Sequence, residues 1–117
     1  MTKRINVLGT EYKIHFDINS NKEPRLKNAW GITDFYTKEI FIDKDILKEE
    51  QDNITLNLKA FRNKVLRHEI VHAFLYESGM AENSNSQRAW SENEEMVDWF
   101  AIQSPKLYKI YKNLDIL

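Results

Sequence analysis

The spacing of apolar residues changes halfway along the chain, and this change restricts the fold more than any other feature. From residue 12 to residue 18 apolar and polar side chains alternate strictly, whereas from about Leu56 to Ser78 apolar residues recur every three or four positions. A period of two is typical of a strand with one buried face, and a period near 3.6 is typical of a helix. The sequence therefore predicts a sheet in the first half and helices in the second.

The first half predicts four strands in two hairpins. Residues 5–7 are the expected partner of the alternating stretch 12–18. A polar segment at 19–28, which contains a proline, predicts a loop. Residues 30–36 and 39–43 form the second expected hairpin, and we expect the four strands to make a small antiparallel sheet.

The second half predicts a long helix from about Leu56 to Ser78, which Gly79 would end in the left-handed conformation. The last turns of this helix are apolar almost all round, which is typical of a helix in the middle of a domain. A second helix is expected at 91–103, and Pro105 should begin a short third one. The predicted fold class is α+β, with the small antiparallel sheet packed on the central helix and the C-terminal helices.

Composition narrows the class of function. A chain of 117 residues has the size of one domain, so residues 1–117 are expected to form a single unit. The 17 basic and 18 acidic residues nearly cancel, which argues against a nucleic-acid binder, because such proteins normally carry a basic stripe. The absence of cysteine excludes disulfides and every cysteine-based metal site. No apolar run is long enough for a membrane span, and the first residues lack a signal-peptide core, so a cytoplasmic location is expected.

Residues 68–72, with the sequence His-Glu-Ile-Val-His, carry the main chemical signal. Residues four apart lie on the same face of a helix, so His68 and His72 can bind one cation. Glu69 lies on the flank of that face, where it can act as a general base on a metal-bound water without being a ligand. The alternative is that both histidines are core residues of a buried helix. That alternative requires a separate partner for each buried ring nitrogen, whereas a metal ion supplies such partners at once.

A catalytic zinc ion needs a third protein ligand, and few residue types remain to provide it. The other histidine, His15, lies far upstream on the polar face of a predicted strand, and the chain has no cysteine. A carboxylate on the next helix is therefore expected, and Glu94 and Asp98 share one face there. We assign Glu94 as the third ligand and Asp98 as the hydrogen-bond partner of a ligating histidine, which would fix the orientation of that ring.

Three alternatives to this role of Glu94 stay open from the sequence. Ser91 and Glu94 fit a capping box, in which Glu94 would only bond the backbone amide of Ser91. The acidic cluster could also be a solvated first helical turn that the helix dipole stabilises. Finally, Glu92 or Glu95 could be the ligand instead.

The pattern H-E-x-x-H followed by N-E-x-x-x-D, which begins here at Asn93, resembles the gluzincin metallopeptidases. The small size of the domain and residues 94–101 are more specifically similar to the ImmA/IrrE group of compact metallopeptidases, and the resemblance covers about residues 39–104. It implies a minimal zincin-like fold with Zn²⁺ as the cofactor.

The same resemblance assigns the site residues. It implies zinc bound by His68, His72 and Glu94, with Glu69 as the base and Asp98 as the partner of a histidine. The expected activity is zinc-dependent hydrolysis of peptide bonds in a protein or peptide substrate, in a regulatory protease of a phage or mobile element. Neither a nucleic acid nor a membrane is expected as a partner.

Two further expectations and one competing function complete the prediction. The edge of the strand at 39–43 could bind an extended substrate by strand addition. Tyr108, Tyr111 or His15 could stabilise the oxyanion. The competing function is a non-catalytic module, either an interaction domain or a phage structural part, that keeps a metal in a zincin scaffold.

Overall fold

The computed structural model describes residues 2–48, 57–80 and 93–117, which form a four-stranded sheet and two long helices. The strands are β1 (Thr2–Val7), β2 (Thr10–Ile18), β3 (Gly31–Asp34) and β4 (Glu39–Asp43). The helices are α1 (Leu58–Glu77) and α2 (Glu94–Asn113), and short 3-10 turns occupy Pro24–Lys27 and Lys44–Lys48. The predicted α+β class is confirmed.

Both predicted hairpins are present, but they do not form a purely antiparallel sheet. β1 pairs with β2 across a two-residue turn in which Leu8 and Gly9 both have positive φ, a turn geometry that matches the strand twist. β3 pairs antiparallel with β4. The strand order is β1-β2-β4-β3, and β4 runs parallel to β2, so the expectation of an antiparallel sheet is wrong for this pair.

The long connection after β2 explains the parallel pair. Parallel neighbours need a crossover of a dozen or more residues, and residues 19–38 supply one that includes β3. β3 is laid down as the outer strand, and β4 then returns to the place beside β2. Strand β4 is therefore interior, and the expectation that its edge adds a substrate strand is wrong. Alternation along a strand predicts its buried face but carries no information about its neighbours.

The core lies between one face of the sheet and α1. Its buried apolar cluster consists of Val7, Tyr12, Ile14, Ile40, Ile42, Ile46, Val65 and Ala73. At the end of α1 the carboxylate of Glu77 accepts hydrogen bonds from the hydroxyl of Tyr12 at 2.7 Å and from Nζ of Lys38 at 2.8 Å. Burial, together with the neighbouring Glu77 carboxylate, raises the pKa of Tyr12. These contacts fix α1 against the sheet.

The end of α1 agrees with the sequence, whereas α2 does not. Gly79 follows α1 in the left-handed region, with φ of 92°, as predicted. α2 is one continuous helix with Pro105 inside it, where two helices were expected. Proline lacks the N–H that would donate to the carbonyl of Ala101, and Nε of Arg67 donates to that oxygen instead, at 2.6 Å. Among the described residues, no helix combines the length and apolar character that a bilayer crossing requires.

Candidate metal centre

Helices α1 and α2 contact each other and bring three candidate ligands together. His68 and His72 lie one turn apart on α1, and Glu94 is the first residue of α2. Oε1 of Glu94 lies 2.8 Å from Nε2 of His68 and 3.1 Å from Nε2 of His72. Both imidazoles therefore turn the same ring nitrogen toward one carboxylate oxygen.

The group formed by His68, His72 and Glu94 could hold a metal ion. One donor atom from each residue lies within 4.8 Å of the other two. A tetrahedral zinc ion with bonds of about 2.0–2.2 Å holds its ligand atoms about 3.3–3.6 Å apart, so small side-chain rotations would suffice to accommodate one. Imidazole and carboxylate are also donor types that divalent transition metals accept. The donor set therefore fits a divalent metal ion.

The three side chains differ in their access to solvent. The side chain of His72 is 10% exposed, that of His68 is 17% exposed and that of Glu94 is 57% exposed, so solvent reaches the group from the side of Glu94. Partial burial acts to raise the pKa of Glu94, but His72 and His68 outweigh it through their charge and hydrogen bonds and hold the pKa below its ordinary value. A carboxylate that stays ionised suits a metal ligand.

Asp98 lies one turn after Glu94 on α2 and contacts the ring nitrogen of His68 that does not face Glu94. Its Oδ1 lies 3.1 Å from Nδ1 of His68 and accepts a hydrogen bond from Nζ of Lys64 at 3.0 Å. Burial acts to raise the pKa of Asp98, but Lys64 and His68 outweigh it and hold the pKa below its ordinary value. The structure thus brings Asp98 to His68, as the four-residue spacing predicts. Sequence reasoning missed Lys64, although its place one turn before His68 on α1 was a usable signal.

The carboxylate of Glu69 lies between α1 and the edge strand β3. Oγ1 of Thr33 donates to Oε1 of Glu69 at 2.7 Å, and Glu69 is only 7% exposed. Burial raises the pKa of Glu69, although Thr33 and the imidazoles of His72 and His68 act in the opposite direction. A higher pKa makes this carboxylate a better proton acceptor near neutral pH. Thr33 was missed from the sequence, because its contact depends on the order of the strands.

Gly31 permits the close approach of β3 to α1 beside Glu69. A Cβ atom at this position would lie 2.9 Å from Cγ1 of Val65 and 3.0 Å from Cγ of Glu69. Both distances are shorter than ordinary contacts between carbon atoms. A larger residue at this position would therefore require Val65, Glu69 or the strand itself to shift.

A cleft of about 350 Å³ opens beside the candidate ligands. His68, Glu69 and Glu94 line it together with the rings of Trp30 and Phe61. The two rings meet edge to face, with their centroids 6.5 Å apart. An apolar group bound against these rings would lie next to the polar residues, which is the usual layout of a small-ligand site.

Other residues considered from the sequence lie elsewhere. Nε2 of His15 lies 2.8 Å from Oε2 of Glu39 on the sheet, and His15 is not part of the donor group. Tyr108 and Tyr111 are exposed and follow the site by ten or more residues, which is about 15 Å along a helix. The exposed Glu95 does not belong to the donor group either. The structure does not bring any of these side chains to the candidate ligands.

Asn93 caps the start of α2. Its side chain accepts a hydrogen bond from the backbone N–H of Met96 at 3.0 Å. Asn93 is therefore the N-cap of α2, and Glu94 is its first helical residue rather than the third residue that a capping box would pair with the cap. Ser91 and the alternative ligand Glu92 lie outside the described residues.

Comparison of the chain with protein-family models, with curated proteins and with solved structures gave no match. Function is a property of sites rather than of folds, and one fold can carry many activities.

Proposed function

We propose that the protein is a zinc-dependent metallopeptidase similar to the ImmA/IrrE group. One observation carries the proposal: Nε2 of His68 and Nε2 of His72 converge on a single carboxylate oxygen of Glu94. Two histidines and one glutamate are a standard donor set of catalytic zinc, which leaves a fourth position for water. A structural zinc site normally has four protein ligands, so a group of three among the described residues favours catalysis.

The residues around the donor group have distinct roles in this proposal. A zinc ion held there would lower the pKa of its coordinated water to about 7 and polarise the scissile carbonyl. Glu69 accepts a proton from the attacking water and returns it to the leaving amine. Thr33 holds the carboxylate of Glu69 by a hydrogen bond of 2.7 Å, which keeps the proton acceptor oriented.

Asp98 supports the assignment through the tautomer of His68. Nδ1 of His68 lies 3.1 Å from Oδ1 of Asp98, so a tautomer with its hydrogen on Nδ1 would donate that hydrogen to Asp98. Nε2 then keeps its lone pair for the metal. The proposal therefore gives a function to both ring nitrogens of His68.

The surroundings of the site support a protein or peptide as the substrate. β3 is the outer strand of the described sheet and is joined to α1 beside Glu69. An extended peptide could pair with this edge, which replaces β4 in that role. The rings of Trp30 and Phe61 would accept an apolar side chain. A cytoplasmic location and a regulatory role in a phage or mobile element are parts of the same proposal.

A non-catalytic metal-binding module is the second candidate function. The contacts of Glu69 favour it, since a carboxylate that is 7% exposed and hydrogen-bonded to Thr33 could have a purely structural role. The two candidates differ in one respect. Only a peptidase needs the carboxylate of Glu69 for turnover.

Glu69→Gln separates the two functions, because it keeps the shape of the side chain and removes the base. Zinc content after reconstitution is measured by mass spectrometry, and cleavage is measured on a peptide library. If the protein is a peptidase, the wild type and Glu69→Gln should each bind one zinc ion per chain, and only the wild type should cleave peptides. Bound zinc without cleavage in either protein favours the non-catalytic module, and a wild type without zinc contradicts both functions. Glu95→Gln, which changes an exposed carboxylate in the first turn of α2, is the matched control and should leave both measurements unchanged.

A further inference from the structure

A ladder of polar contacts joins α1 to α2. Its contacts are Arg67 to Ala101, Lys64 to Asp98, His68 to Asp98, His68 to Glu94 and His72 to Glu94. His68 contacts both Asp98 and Glu94, and His72, one turn later on α1, contacts Glu94. Four of these contacts join side chains to side chains. The contact from Arg67 differs, because it ends on a backbone oxygen.

The backbone oxygen of Ala101 is a fixed point on α2. Ala101 is fully buried, and the usual donor to its carbonyl is the N–H of residue 105, which proline lacks. A buried carbonyl without a donor is costly, and Nε of Arg67 removes that cost with a hydrogen bond of 2.6 Å. Carboxylates such as Glu94 can follow a displacement of the helix by rotating their side chains. A backbone oxygen moves only with the helix itself.

We infer that Arg67 is a positioning residue for the candidate metal centre, because its bond to Ala101 sets the register of α2 against α1. Ala101 lies two turns after Glu94 on the same face of α2. A slide of α2 by one residue would displace Glu94 by about 1.5 Å, whereas a metal ligand has to be held to about 0.5 Å. Arg67 precedes His68 directly on α1, so the residue that contacts Ala101 and the candidate ligand belong to the same helix. The inference rests on the proposed function, since it concerns the same metal.

A purely stabilising role for Arg67 is the competing explanation. In that case Arg67 would only satisfy the carbonyl of Ala101, and any other donor could replace it. Pro105→Ala provides such a donor, because the N–H of an alanine at this position completes the ordinary helical hydrogen bond. The double variant Arg67→Met/Pro105→Ala then has a satisfied carbonyl but no link from Arg67 to α2.

The experiment compares thermal unfolding with the affinity for Zn²⁺, measured by competition with a chromophoric chelator. Arg67→Met should unfold at a lower temperature and bind Zn²⁺ about tenfold more weakly, as expected when a group that orients a ligand is lost. The double variant should regain thermal stability and keep the tenfold weaker binding. Pro105→Ala alone should bind as the wild type does. Arg62→Met, which removes the same charge from α1 at a guanidinium stacked over Phe16, is the matched control and should also bind normally.

Wild-type zinc affinity in the double variant would overturn the inference and leave Arg67 with a purely stabilising role. A wild type that binds no Zn²⁺ would contradict the proposed function instead. In that event the role of Arg67 is tested by NMR of the metal-free proteins. The measurement is the set of cross-peaks between the ring of His68 and the side chain of Asp98. Loss of these cross-peaks in the folded double variant supports the positioning role, and their retention rejects it.

Discussion

The hydroxyl of Thr33 donates a hydrogen bond of 2.7 Å to the buried carboxylate of Glu69 and so joins the edge strand β3 to the middle of α1. The same hydroxyl lies 3.1 Å from the backbone oxygen of Glu69, so its single hydrogen is shared between two acceptors of one residue. Burial of Glu69 leaves little water to replace this donor. The direction of the Glu69 carboxylate therefore depends on a residue that lies 36 positions earlier in the chain.

Thr33→Val should destabilise the protein by about 1–2 kcal/mol, because it keeps the shape of the side chain but leaves a buried carboxylate without its donor. Peptide hydrolysis should fall as well, while zinc content stays at one per chain. Urea denaturation and metal analysis measure these effects. Thr37→Val makes the same chemical change at an exposed turn and serves as the control. Equal stability of the two variants would show that the Thr33 bond contributes nothing.

Gly31→Ala should destabilise the protein by about 1–3 kcal/mol, because the added methyl group would lie 2.9 Å from Cγ1 of Val65. Val65→Ala removes that obstacle at the expense of a cavity. The double variant should therefore lose less stability than the sum of the two single variants, because the smaller side chain at position 65 leaves room for the added methyl group. Denaturant unfolding of the three variants tests this coupling, and simple addition would rule out the close approach of β3 to α1.

Asp98→Asn should weaken zinc binding by about 10–100-fold, because the partner that orients His68 loses its charge. Glu94→Ala should have a larger effect, since it removes one of three protein ligands. Competition titrations with a chelator give both affinities. A greater loss in Asp98→Asn than in Glu94→Ala would exchange the roles of the two carboxylates.

Acid should remove a contribution of Asp34 to stability. The backbone N–H of Thr37, the guanidinium of Arg25 and the N–H of Tyr36 hold the pKa of Asp34 at about 2. Because the folded pKa is lower than the unfolded value of about 4, the contribution is complete above that unfolded value and is lost as the pH falls toward 2. At pH 6 the wild type should be about 1–2 kcal/mol more stable than Asp34→Asn, with solvent screening of the half-exposed Arg25 included.

Urea denaturation between pH 6 and pH 2 follows this difference. The gap between the wild type and Asp34→Asn should narrow steadily below pH 4. Arg25→Met should also be less stable than the wild type, but by a smaller free energy of unfolding than Asp34→Asn, since the backbone donors to Asp34 remain. A stability difference between the wild type and Asp34→Asn that stays constant down to pH 2 would show that ionisation of Asp34 is not its cause.

The candidate ligands were predictable because helical periodicity alone places them. His68 and His72 share a face at a spacing of four, and so do Glu94 and Asp98, whatever the rest of the fold does. The structure needed only to put these two faces against each other. The strand positions were predictable for a similar reason, since alternation is a local property.

Contacts that depend on topology could not be predicted in the same way. Thr33 and Gly31 reach Glu69 because β3 is the outer strand beside α1, and strand order is not encoded in alternation. Pro105 misled the helix prediction for a related reason. A local rule ends helices at proline, but a donor from another helix, Arg67, overrides it here.

The donor atoms of the candidate centre come from two helices, with His72 near the end of α1 and Glu94 at the start of α2. An unfolded chain does not hold these residues together, so an ion that binds all three donors binds the folded state alone. At a concentration one hundred times its dissociation constant, such an ion adds about 2.7 kcal/mol to the free energy of unfolding. The unfolding temperature would then rise with the free metal concentration. Under metal limitation α2 would open more often, and cellular proteases would shorten the lifetime of the protein.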